Sequence, residues 1–374
     1  MIDLFGNRAN ETYTYRRISW PSFKESADLG NVISGSMELS AFSDLKATCQ
    51  FKFKGGQEPG TDDLIRIYYS FDDDRGEHAE FCLGTFFIGY AKTDNQADGS
   101  GLMASGTVNG WSVLKVLQDV KVGYALTVPA STYAIAKAVQ LMQERGLPVN
   151  VTGESSYRLA SDHTFEPDDT LLTVVNWLCT TAGYQAPFPD AFGTVQVSAY
   201  VDPSERAVVA TFKDDSRSIM YPVVTIENDW QSIPNVYKLY YSTDEIAIHA
   251  EARNLSGSKA SLDARGGREL SYMDTVTELS GANSSAMLAN LKSMARDKLI
   301  DNSQEIERVQ LSHPYIPLVA NDAVAVEYSD ATWSGNVQNM RVTLSPSTKC
   351  TTTLRRFVPS SIKVTTSGAI DWGA

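Results

Sequence analysis

The sequence has few of the residues that carry most enzyme chemistry. It contains four histidines and four cysteines in 374 residues. None of them has neighbours at the spacing of a known metal motif, and the HExxH and paired CxxC patterns are missing. The GxSxG elbow, the Walker loop and a GxGxxG fingerprint in the right context are missing too. These absences favour a protein that is not an enzyme and that needs no cofactor and no metal.

Long apolar runs are also missing. No segment of about 18 apolar residues occurs, so we expect no stable membrane insertion. The N-terminus lacks a charged region followed by an apolar one, so no secretory signal is predicted. The net charge is −13 and no basic stripe accompanies it, which argues against sequence-specific binding to nucleic acid. The hydrophobic content of 43% is nevertheless enough for packed cores.

The four cysteines are far apart in the chain. Cys49, Cys82, Cys179 and Cys350 lie in apolar or alternating contexts. We therefore expect reduced, buried thiols rather than disulfides or a metal site.

The clearest pattern runs from Ser284 to Phe357. Its first part has apolar residues at steps of three and four, which predicts one face of a helix. These residues are Met287, Leu288, Leu291, Met294, Ala295 and Leu299. Asn283, Ser284 and Ser285 are the candidate caps at the start of this helix. The pattern then alternates with period two in about four short segments joined by turns, which predicts a small closed or nearly closed antiparallel sheet.

The whole chain is predicted to be mainly β with an α/β insertion. Residues 1–125 indicate a first antiparallel, barrel-like β domain, and residues 126–222 indicate an inserted mixed α/β domain. Residues 223–357 indicate a second barrel-like β domain with a helical excursion at 284–300. Residues 358–374 are rich in Ser, Thr and Gly, and we expect a weakly ordered or partner-docked tail there.

Two helices are predicted in the inserted domain. Ser131 is the expected N-cap of the first helix, which should end near Gly146. Asp168 or Asp169 is the expected N-cap of the second, which should end at Gly183.

An acidic segment separates two predicted strands in the first β domain. Leu64–Tyr69 and Glu80–Tyr90 should form a hairpin with a polar tip. The acidic cluster at this tip comprises Asp72, Asp73, Asp74, Glu77 and Glu80. Two interpretations of the tip remain open. Its carboxylates could hold Ca²⁺, which takes six to eight oxygen ligands, or they could keep the tip solvated and block edge pairing.

The aromatic residues offer a possible sugar-binding surface. Tyr237, Tyr240 and Tyr241 lie on one predicted strand and could form a stacking platform, although packing in a core or interface is the alternative. Glycosidase chemistry needs two carboxylates in one cleft, and no pattern in the sequence indicates which two residues would form such a pair.

A series of short segments follows in a fixed order along the chain, and the helix described above lies among them. The other segments are Ile233–Tyr237, Ser258–Ser261, Gly266–Arg268, Val309–Pro314, Asn321–Val326, Gly335–Val337, Arg341–Leu344 and Leu354–Arg356. Taken in this order, they resemble the tail hub (baseplate hub or tail-tip) family of tailed bacteriophages and related injection particles. Many members of that family have Gly-Asp before a Val-x-Val strand, where this chain has Asn321-Asp322.

The resemblance implies a structural protein of the virion tail tip, made in the host cytoplasm. Such hubs are homotrimers in which two similar small barrels per subunit make a pseudo-hexameric ring. The ring joins the hexameric tail tube or distal tail protein to a tip or fibre protein, and DNA passes through it only in transit. Because Lys and Arg in the lumen would add phosphate contacts, we expect a lumen that is net acidic or neutral. The chain ends soon after the second β domain, so the resemblance implies no lytic activity.

The long hairpin is the element best suited to reach a neighbouring ring. The candidate interface residues are Phe71, Asp72, Asp73, Asp74, Arg75 and Glu77.

The alternative functions come from other classes. A carbohydrate-binding or receptor-binding β module predicts glycan binding that depends on Tyr or Trp. A glycan hydrolase predicts turnover that is lost when a single Asp or Glu is changed.

Overall fold

The structure is a computed structural model of the chain, and it describes most of the residues. The residues outside the description are 1, 2, 5, 55–63, 99, 100, 202–204, 216–219, 221–224, 229, 230, 244, 277, 278, 280, 282, 304, 329, 330, 346, 347, 359–361, 373 and 374. Only the backbone is described for residues 90–98, 101–104, 228, 301, 305, 306, 331, 357, 358 and 372.

The fold is mainly β with a few helices, as the sequence predicted. The described strands are β1 Arg8–Ser19, β2 Lys24–Asp28, β3 Val32–Ser40, β4 Ala47–Lys54, β5 Leu64–Asp73, β6 His78–Asp98, β7 Gly101–Ser112, β8 Leu126–Val128, β9 Val149–Thr152, β10 His163–Phe165, β11 Phe188–Pro189, β12 Val195–Ser198, β13 Val208–Lys213, β14 Thr225–Asn228, β15 Val236–Ser242, β16 Ile246–Ser256, β17 Ser271–Thr275, β18 Glu305–His313, β19 Ala323–Tyr328, β20 Ala331–Leu344, β21 Cys350–Val358 and β22 Lys363–Trp372. The described helices are α1 Lys115–Gln118, α2 Ala134–Gln143, α3 Leu171–Thr181 and α4 Ser284–Asn302.

The chain divides into two compact units. Unit 1 comprises Met1–Val224 and Gln310–Leu354, and unit 2 comprises Thr225–Val309 and Arg355–Ala374. This grouping differs from the three predicted domains: β19 and β20 belong to unit 1, whereas α4 belongs to unit 2. The three-domain division stays a prediction.

Unit 1 is built on a large sheet. Its neighbouring strands follow the order β20-β3-β4-β7-β6-β5-β1-β2, and β19 joins β20 to β13. The long β20 pairs with β19 through Ala331–Asn336 and with β3 through Asn339–Leu344, which places the late strands beside the N-terminal ones. The order of the described strands does not close on itself, so the predicted barrel-like domains are not confirmed.

The predicted α/β insertion has its own helices and small sheets within unit 1. α2 packs on α3, β9 pairs in parallel with β12, and β8 pairs with β10. The buried face of α3 includes Val174, Val175 and Leu178, which join one core with Leu141 and Met142 of α2.

Both predicted N-caps of these helices are wrong. Tyr133 occupies the N-cap of α2, because Ser131 has φ +65° and lies in the preceding turn. Thr170 caps α3 by accepting from the N–H of Thr173. Asp169 is engaged elsewhere, because its carboxylate accepts from the N–H of Glu166 at 2.9 Å.

In unit 2, α4 packs on a four-stranded sheet with the order β17-β15-β16-β22. Of the three candidate caps, Asn283 is the N-cap, because its side chain accepts from the N–H of Ala286 at 2.9 Å. Leu291, Ala295 and Leu299 are fully buried as expected, whereas Met294 is 38% exposed and lies off the packed face.

The expected weakly ordered tail is wrong for residues 363–372. They form β22, which pairs antiparallel with β16 over its whole length. The thiol prediction is confirmed: all four cysteines are free, three are buried and Cys82 is half-buried. Burial raises the pKa of the Cys82 thiol to about 12, so it is a poor nucleophile at neutral pH. In the described part of the chain, no helix is long and apolar enough to cross a membrane.

Candidate assembly interface

The predicted acidic hairpin is present. β5 and β6 pair antiparallel from Leu64 opposite Phe87 to Asp72 opposite His78. The turn between them comprises residues 74–77, with Gly76 at φ +77°, a backbone conformation that favours glycine.

Asp73 shapes the turn instead of facing solvent. Its carboxylate accepts from the backbone N–H groups of Arg75 and Glu77, each at 2.9 Å, and its side chain is almost fully buried. Burial alone would raise the pKa of Asp73, but these N–H bonds outweigh it and lower the pKa below its usual value. The carboxylate is therefore held as an anion by the turn that it organises.

Asp72 is bound on the side of the hairpin. One carboxylate oxygen accepts from the Asn10 side-chain amide at 2.7 Å, and the other lies 2.8 Å from Nδ1 of His78. These bonds lower the pKa of Asp72, the Asn10 bond most. The side chain remains partly exposed.

Phe71 anchors the hairpin to the sheet. It is fully buried, stacks on Phe81 with ring centroids 6.2 Å apart, and lies under the Arg8 guanidinium, 4.2 Å from its ring centroid. Phe71 and Asp73 therefore hold the hairpin base.

Of the six candidate interface residues, Asp74, Arg75 and Glu77 are exposed and Asp72 is partly exposed. That these residues contact a neighbouring protein stays a prediction. Among the described residues, no three His, Cys, Asp or Glu side chains are placed to hold one metal ion, and the Ca²⁺ hypothesis stays untested.

A charged cluster that sequence reasoning missed lies on the same sheet. Arg66 is 6% exposed and donates to Glu25 at 2.8 Å, to the Thr85 hydroxyl at 2.9 Å and to the Phe192 carbonyl at 2.9 Å. The Tyr68 hydroxyl also donates to Glu25, and this bond contributes most to lowering the pKa of the Glu25 carboxyl. The cluster joins the hairpin strands to β2 and to the loop before β12.

The sequence contained only one signal for this cluster. Arg66 interrupts the apolar run Leu64–Ile67, which indicates a buried cation that needs partners. Its partners are far away in the sequence, so the pairing itself could not be predicted.

The proposed tyrosine platform does not form. The alternation of β15 places Tyr237 and Tyr241 on the face packed with α4, and it places Tyr240 on the opposite face. The Tyr237 hydroxyl donates to Asp274 at 2.5 Å, and burial together with this bond raises its pKa to about 12. Tyr237 and Tyr241 therefore pack in the core of unit 2, which was the alternative interpretation.

His313 is the one histidine with a fully buried ring among the described residues. Its Nδ1 lies 2.6 Å from the Pro314 carbonyl and its Nε2 lies 2.7 Å from the Thr352 hydroxyl. A carbonyl can only accept, so we assign the proton to Nδ1 and the acceptor role to Nε2. Burial lowers the pKa of His313 to about 4, so the ring is neutral at physiological pH.

Comparisons with known proteins show a shared fold. No protein-family model matches the chain, and no curated protein matches it in sequence. Among solved structures, it is similar to a tail protein from Neisseria meningitidis MC58, with TM-score 0.64 and 14% identity over 92% of this chain and 97% of that one. It is also similar to the 43 kDa tail protein of prophage MuSo2 from Shewanella oneidensis, with TM-score 0.61 and 12% identity over 91% of this chain and 97% of that one.

Proposed function

We propose that the chain is a structural hub protein of a phage tail tip or baseplate, or of a related injection particle. The observation that carries this proposal is the fold that it shares with two tail proteins over more than 90% of both chains. The order of the short sequence segments that resemble tail hub proteins supports the same class of protein independently. The proposed role is assembly and not catalysis.

The proposed assembly is a homotrimer. Two similar β regions per subunit, each barrel-like in the ring, would give six equivalent positions around a three-fold axis. Such a ring would match a hexameric tail tube or distal tail protein on one side and a three-fold tip or fibre protein on the other. DNA would pass through the ring without stable binding, and the net charge of −13 supports this part of the proposal.

The tail role is tested by deleting the gene in the genome that encodes it. We expect particles without complete tails by electron microscopy, and we expect plasmid-borne wild-type protein to restore them. Complete tails in the deletion strain would contradict the proposal.

The hairpin tip gives a more specific prediction. We expect the triple substitution Asp74→Ser, Arg75→Ser, Glu77→Ser to keep the fold, because these side chains are exposed and surface changes cost within about 0.5 kcal/mol. The variant should restore fewer complete tails than the wild type in the deletion strain, because the tip would no longer reach the neighbouring ring.

A matched control changes three exposed residues of the same charges away from the tip, Glu144→Ser, Arg145→Ser and Glu154→Ser. This control should restore tails as well as the wild type does. If both triple variants restored complete tails equally well, the tip would not be part of the interface.

A further inference from the structure

A polar cleft crosses the sheet of unit 1, away from the hairpin tip. Four adjacent strands, β20, β3, β4 and β7, present their apolar side chains to the core. Met340, Met37, Phe51 and Val108 are buried on that side. Because side chains alternate along each strand, the opposite face carries the intervening polar residues.

The cleft has a volume of about 350 Å³, which is within the range of small-ligand sites. It is lined by Ser36, Glu38, Thr48, Cys49, Gln50, Asn109, Gly110, Trp111 and Arg341. Among the lining residues whose side chains the structure describes, the charged ones are Arg341 and Glu38, and their charges cancel. This described lining is therefore neutral and is rich in hydroxyl and amide groups.

Three strand registers organise the cleft. Arg341 lies opposite Glu38, Glu38 opposite Thr48, and Thr48 opposite Trp111, so one row of side chains crosses all four strands. Strands are about 4.8 Å apart, so this row is about 14 Å long. That length suits an elongated ligand lying across the strands.

Some of these polar side chains hydrogen-bond one another, and others are free to form hydrogen bonds with a ligand. The Gln50 amide donates to the Asn109 side chain at 2.8 Å, which holds both in place. The side chains of Glu38, Arg341, Ser36 and Thr48 have no hydrogen-bond or ion-pair partner within the described ranges of the chain. Glu38 and Arg341 face each other in register and still form no ion pair, so both can bond a ligand between them.

Trp111 forms one wall of the cleft. Its indole lies directly over Gly89, where an added Cβ would be 1.6 Å from the ring atom Cζ3. The Lys115 ammonium lies 5.5 Å from the ring centroid. The indole is thus held in one orientation by a close backbone approach, and it supplies a rigid apolar surface at the β7 end of the row.

We propose that this cleft binds a neutral oligosaccharide. A saccharide has many hydroxyls that both donate and accept, matching the hydroxyl, amide, carboxylate and guanidinium groups of the lining. Its apolar ring faces suit the indole, and its lack of charge suits a lining of zero net charge. This site is separate from the three tyrosines considered above, and the proposal goes beyond the assembly role without depending on it.

The test uses the full chain and three soluble neutral probes: chitotriose, cellotriose and maltotriose. Saturation-transfer NMR should detect binding of at least one of them, and calorimetry should give its affinity. We expect Arg341→Met and Glu38→Gln each to weaken that affinity by about tenfold or more, because each removes a charge-assisted hydrogen bond. Lys24→Met, an exposed cation outside the cleft, is the matched control and should bind as the wild type does.

Three results would overturn the proposal. One is no saturation transfer to any of the three probes. Another is binding that both cleft variants retain while their thermal unfolding midpoints match that of the wild type, which would place the sugar elsewhere. The third is preference for the anionic polysaccharide heparin, lost in Arg341→Met, which would make the ligand anionic.

Discussion

Replacing Arg66 by Met is expected to lower the free energy of unfolding by about 3 kcal/mol. The guanidinium is buried and bonds Glu25, Thr85 and the Phe192 carbonyl at once. Removing it takes away one of the two charged partners of the Glu25 carboxylate. It also leaves the Thr85 hydroxyl and the Phe192 carbonyl without the N–H groups that donate to them. Breaking a buried ion pair from one side costs about 3 to 5 kcal/mol, and the 32% exposure of Glu25 favours the lower value.

Arg16 supplies the matched control for this prediction. It also bonds Glu25, at 3.0 Å, but its side chain is 33% exposed. Arg16→Met should therefore cost less than about 1 kcal/mol. Urea unfolding followed by tryptophan fluorescence measures both variants. Equal losses for the two arginines would contradict the view that burial makes Arg66 the centre of the cluster.

Acidification is expected to destabilise the protein through His313. Its pKa is about 4 in the folded chain, against 6.5 for an ordinary histidine. Below pH 6.5 the unfolded chain takes up a proton that the folded chain refuses, so stability falls as the pH decreases. The loss accumulates down to about pH 4 and then levels off. A difference of about 2.5 pKa units corresponds to about 3 kcal/mol.

The variant His313→Gln separates this effect from the carboxylates that also titrate in this range. Urea unfolding of both proteins at about pH 7 and about pH 4.5 gives the comparison, with the window set by the two pKa values of His313. We expect the wild type to lose more stability than the variant between the two pH values. The same loss in both proteins would mean that His313 is protonated in the folded state.

Local sequence signals predicted the elements better than they predicted their partners. The cap of α4 was predictable because Asn283 acts within one turn of the helix. The cap of α2 was not, because the positive φ of Ser131 depends on the turn that precedes the helix. Period-two alternation likewise found most strands but gave no information on which strands pair.

Long-range pairing explains the larger differences. β22 is a strand because β16 supplies its hydrogen bonds, and nothing in the Ser- and Thr-rich sequence of residues 358–374 indicates that partner. β20 joins late strands to early ones because it is long enough to pair with both β19 and β3. The side chains that line the cleft come from four strands. Their proximity therefore depends on the pairing registers of those strands, which the sequence does not indicate.

The trimeric hub ring proposed for this chain is tested most directly by electron microscopy of the purified chain, paired with its mass in solution over a range of concentrations. We expect a mass of three chains and a ring with a central hole and a pseudo-six-fold face. A chain that is a monomer or a dimer at every concentration, with no ring in the images, would contradict it.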